Sequence, residues 1–179
     1  MYLPDDEVRA VSALVDFLYR GWIPKAIDTS RWPQIAHDLI ALYILAEKIC
    51  MPELMDRAMD ELSSTCCRSK TRLGDYYISQ IYQNTHEKSK IRAYCVSGFA
   101  CTMAVKNNID DAWCDRYAQL SETCPEFFVD IFRFQAKHFK TLATSPYKKG
   151  LELLASIAGT CTFHTHEKDE DCYLKGSRD

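Results

Sequence analysis

Apolar residues in this chain recur at steps of three and four almost from end to end, and only six glycines and six prolines interrupt its 179 residues. A sandwich or barrel of many short strands needs turn residues every few positions, whereas a helix needs them only at its ends. The chain is therefore expected to be mainly α, with at most a short strand at Tyr2–Leu3 and another at Trp22–Ile23. Hydrophobic residues are 47% of the whole, which is enough to build a core and excludes a disordered polymer.

Charge and segment length exclude further classes. A formal net charge of -3 argues against a basic face that holds nucleic acid. The longest strongly apolar stretch, Leu39–Ala46, falls far short of the roughly 20 residues a membrane span requires, so neither nucleic acid nor membrane is expected as a partner. Asp5, Asp6 and Glu7 stand where a secretory leader would need positive charge. An intracellular protein, cytoplasmic or nuclear, is the expectation. Nine cysteines, with Cys66 and Cys67 adjacent, cannot all pair within the chain; most should be small buried thiols.

The periodicity resolves into about eight helices. Val8, Val11, Leu14, Val15 and Leu18 share one face of the first, and Gly21 stops it. The second opens near Trp32 with Ile35, Leu39, Leu42, Leu45, Ala46 and Ile49, and Pro52 breaks it because the ring removes an amide donor. A third carries Leu54, Ala58 and Leu62, and a fourth Leu73, Tyr76, Tyr77 and Ile81. A fifth spans 89–105 with Ile91, Tyr94, Cys95, Phe99 and Met103 inward. Two more lie near 112–120 and 125–140; the second is apolar nearly all round, so it is either central to the core or presented to a partner. An eighth should run from Pro146 to about Ala158, with Gly159 ending it. The expected organisation is 1–67, 68–160 and a polar tail, 161–179.

The run Tyr2-Leu3-Pro4-Asp5-Asp6, the helix ending Phe17-Leu18-Tyr19-Arg20-Gly21, and Leu42-Tyr43-Ile44-Leu45-Ala46-Glu47-Lys48-Ile49-Cys50-Met51-Pro52-Glu53-Leu54 together resemble the later part of BTB/POZ domains, particularly those of filamentous fungi. Residues 75–100 resemble the helical extension that follows that domain. The resemblance implies a partial BTB/POZ-like domain over 1–67, without the hairpin and helices that supply most of the sheet and dimer interface. It implies a non-enzymatic interaction module or adaptor that binds a protein partner or self-associates. Leu14, Leu18, Leu42, Leu45, Ala46 and Leu54 are its expected interaction or packing surface. The element with which some relatives grip a cullin has no counterpart to carry over. The other reading is a small helical scaffold with a structural zinc tail.

No Gly-rich phosphate loop, GxSxG or HExxH occurs, so no catalytic residue is assigned. Cys95 and Cys101 with the distant His138 read as core thiols rather than a protease pair, and His37 and His86 as a surface and a loop or capping residue. One constellation has ligand chemistry: Cys161-x-x-His164-x-His166-x5-Cys172, four donors of the kind zinc prefers. In an extended segment His164 and His166 would point to opposite sides. The choice is a zinc loop, on which the preceding helices do not depend, or an acidic end hydrated by Glu167, Asp169, Glu170 and Asp171.

Overall fold

A computed structural model describes residues 7–25, 29–105, 110–144, 146, 149–159, 161–166 and 170–175. Among these residues there are eight α-helices and two single 3-10 turns, at 29–31 and 173–175, and no strand. The mainly α expectation therefore holds. Trp22 and Ile23 form no strand, and Tyr2–Leu3 lies outside the described residues. No described helix is long and apolar enough to cross a membrane.

The chain divides into two compact units, one of Met1–Thr71 with Phe163–Asp179 and one of Arg72–Thr162. The first contains α1 (Val8–Arg20), α2 (Trp32–Lys48) and α3 (Pro52–Ser69). Gly21 ends α1 in the left-handed region (φ 63°) and donates its N–H to the Phe17 carbonyl at 2.8 Å. The turn from α2 to α3 is three residues long. Ile49 and Met51 donate to the carbonyls of Leu45 and Ala46, and Pro52 opens α3 at a position where a missing amide costs little.

Burial corrects the expected faces. In α1 the buried residues are Ala10, Ala13 and Leu14, two of them small enough to let α1 approach α2 closely. Val8, Val15 and Leu18 are exposed, Leu18 at 61%. Around α2 the buried set is wider than one stripe: Ala36, Leu39, Ile40, Leu42, Tyr43, Leu45 and Ala46, because α1 and α3 both pack against it. Ile35 and Ile49 are only half-buried.

The second unit is built round α5 (Lys90–Val105), which packs against α4 (Asp75–Asn84), α7 (Pro125–Ala143) and α8 (Gly150–Ile157); α6 (Asp111–Thr123) packs against α4 and α7. Every residue from Tyr94 to Cys101 is buried, so α5 is the all-round apolar core helix and Met103 is at its half-buried end. In α7 only Phe127 and Ile131 are buried, and Val129, Phe132 and Phe139 are exposed. Asp110 caps α6, accepting the Trp113 N–H at 2.8 Å. Helix α8 opens at Gly150, four residues later than Pro146 suggested. A Cβ at Gly150 would lie 2.6 Å from the Thr102 Cα, so the close crossing with α5 requires glycine there. Leu73 is buried just ahead of α4, and Tyr76 is exposed.

Candidate metal centre

The stretch Cys161–His166 is not extended. A turn at 161–163 and bends at 165–166 fold it, so that His164 and His166 face each other rather than diverge. His164 Nδ1 is 3.3 Å from His166 Nε2 and 3.5 Å from Cys172 Sγ. One ligand atom from each of Cys161, His164, His166 and Cys172 lies within 4.8 Å of the others, a group that could hold a metal ion. His164 is 1% exposed and Cys172 is buried, whereas Cys161 is exposed.

The tail segment that carries His164 lies against α3. His164 Nε2 donates to Asp60 Oδ1 at 2.8 Å, and Tyr173 Oη donates to Asp60 Oδ2. One turn earlier the Asp56 carboxylate, 4% exposed, accepts the Thr165 N–H at 2.6 Å and the Thr165 hydroxyl at 2.9 Å through Oδ1. A carboxylate is stable at that depth only when hydrogen-bonded, and Thr165 supplies both donors from the tail. Arg57 holds Glu53 at 2.9 Å and stands 4.7 Å from the Tyr173 ring centroid and 5.8 Å from that of Phe17. Burial raises the Tyr173 phenol above its usual range; the hydrogen bond to Asp60 and its charge add to this, and Arg57 opposes it. Tyr173 is therefore a constant O–H donor near neutral pH. An open cleft of about 530 Å³ lies beside the loop, lined by Glu53, Asp56, His166, Glu170 and Asp171 among others.

Of the residues expected to form an interaction or packing surface, Leu42, Leu45, Ala46 and Leu54 are fully buried and Leu14 nearly so. These five pack inside the first unit, and Leu18 alone among the six faces solvent. None of the nine cysteines forms a disulfide. Burial pushes the Cys101 thiol up to about 12, which keeps it protonated and unreactive at neutral pH. His86 accepts the Lys88 N–H at 3.2 Å in the α4–α5 turn. Asp56, Asp60, Thr165 and Tyr173 were not singled out from the sequence. The available signal was the pair of acidic residues at i and i+4 interrupting the buried face Leu54, Met55, Ala58, Met59 and Leu62. Set against known protein families, curated proteins and solved structures, the chain matches none.

Proposed function

We propose that the protein is a non-enzymatic helical interaction module whose carboxyl-terminal loop is closed by one structural zinc ion. The observation that carries the zinc reading is the spacing of the donor atoms. Zinc bonds of about 2.0–2.1 Å to nitrogen and about 2.3 Å to sulfur, at tetrahedral angles, set N···N at roughly 3.3 Å and N···S at roughly 3.5 Å. The two imidazole nitrogens stand 3.3 Å apart, and His164 Nδ1 and the Cys172 sulfur 3.5 Å; the other donor pairs, all within 4.8 Å, would draw together as the ion binds. With four protein donors no position is left for a substrate or a reactive water, as in sites whose role is to hold a fold. Protein purified after zinc-supplemented expression is expected to contain about one zinc per chain by elemental analysis. The double substitution Cys161→Ser and Cys172→Ser should remove it while leaving the bulk helix signal intact. No zinc in the wild type, or unchanged zinc in the double variant, would overturn this reading.

The interaction half rests on apolar residues presented to solvent: Val8, Val15, Leu18, Tyr19 and Trp22 along and just past α1, and Val129, Phe132 and Phe139 on α7. The resemblance to BTB/POZ domains favours the same class, a recruiter of protein partners, and the α2–Pro52–α3 hairpin is the part of the chain that carries it. Concentration-dependent association in sedimentation velocity is expected, weakened by Leu18→Glu or by Phe132→Glu. A monomer at every concentration that binds no hydrophobic dye would count against this half of the proposal.

A further inference from the structure

We infer that Asp60 of α3 is the positioning residue of the metal centre, so that the ion is held only when the tail is seated on α3. The inference rests on the zinc reading above and extends it from the loop to the helix beneath. An ionised carboxylate can only accept, so the 2.8 Å contact with Asp60 Oδ1 places the His164 proton on Nε2. The lone pair of the neutral ring is then on Nδ1, the nitrogen that faces His166 and Cys172. Asp60 stands on the opposite edge of the ring from the ion and cannot reach it. Its part is to select the tautomer, orient the ring and make the imidazole a stronger donor.

Both oxygens of Asp60 are engaged by the tail, one by His164 and the other by Tyr173. One helical turn away Asp56 takes both donors of Thr165, the residue between the two histidine ligands. Two carboxylates at i and i+4 therefore grip the loop at the first histidine and at the threonine that follows it, and α3 supplies the rigid wall. A self-sufficient loop of twelve residues would need neither.

The test is a zinc competition titration of the full chain, wild type against Asp60→Ala and Asp60→Asn, with long-range 15N spectra of the histidine rings. Asp60→Ala is expected to weaken zinc about 10–100-fold. Asp60→Asn, whose side-chain oxygen still accepts from Nε2, should recover most of that loss, and helix content should match the wild type in both. The wild-type spectrum should show His164 bound through Nδ1 with a protonated Nε2. Equal affinity in Asp60→Ala, or His164 bound through Nε2, would overturn the positioning role and leave the zinc reading standing. A wild type that takes up no zinc would overturn the zinc reading itself.

Discussion

If the loop holds zinc as proposed, removing the ion with a chelator is expected to destabilise the first unit as a whole, not only to release the segment after Cys161. The sequence alone suggests the smaller effect, because α1 to α3 have their own apolar faces. The contacts of Asp56 and Asp60 change the expectation: His164 is buried against α3 and hydrogen-bonded to Asp60, and Thr165 beside it is held by Asp56. If the unfolded chain cannot assemble the site, metal binding adds directly to folding free energy, about 4 kcal/mol when free zinc exceeds its dissociation constant a thousandfold. For a unit of this size that is a fall in melting temperature on the order of 15–30 °C. Hydrogen exchange read helix by helix is the discriminating measurement. Protection should fall in α3 and in α2, which packs on it, after chelation and return with added zinc. Loss confined to residues beyond 160 would mean that the loop binds metal by itself.

The donor set was legible in the sequence, and its geometry was not. Four thiol and imidazole side chains within twelve residues are donors of the kind zinc takes, which makes the segment a candidate whatever the fold. Whether His164 and His166 converge depends on a local bend, and the residues that hold that bend are 104 and 109 positions away for His164–Asp60 and Thr165–Asp56. Spacing rules report on neighbours along one element and carry no information about a partner on another. The acidic pair on α3 interrupts an apolar face, and nothing near it in the sequence names the tail as what meets it.

The helices show the same division between local and distant causes. Starts and stops set by single residues, such as Gly21 after α1, Pro52 at α3 and Pro125 at α7, fall where the chain's punctuation puts them. Which face is buried depends on what arrives from elsewhere. In α1 the larger residues Val8, Val15 and Leu18 look inward by hydrophobicity, yet the helix turns its alanines to α2, because small side chains permit the closer approach. Helix α7 is apolar on several sides but, among the described residues, buries only Phe127 and Ile131, and α5, less aromatic, is the one enclosed. Pro146 suggests a helix start that falls instead at Gly150, where a Cβ would collide with Thr102.

Leu45→Ala is expected to destabilise the first unit by about 2–5 kcal/mol. Leu45 is 0% exposed, as are Leu42 and Ala46 beside it and Leu54 on the facing helix. Removing three carbons there forfeits the transfer energy of the deleted atoms and leaves a cavity. The cavity cannot readily close, because the three-residue turn ties the end of α2 to the start of α3, and α1 blocks movement on the other side. The loss should appear as a lower urea midpoint with an unchanged slope, since the same surface is exposed on unfolding. Leu18→Ala is the control: at 61% exposed it should change stability by less than about 0.5 kcal/mol. A loss below about 0.5 kcal/mol for Leu45→Ala would place that residue at the surface and dissolve the α2–α3 contact on which the seating of the metal loop depends.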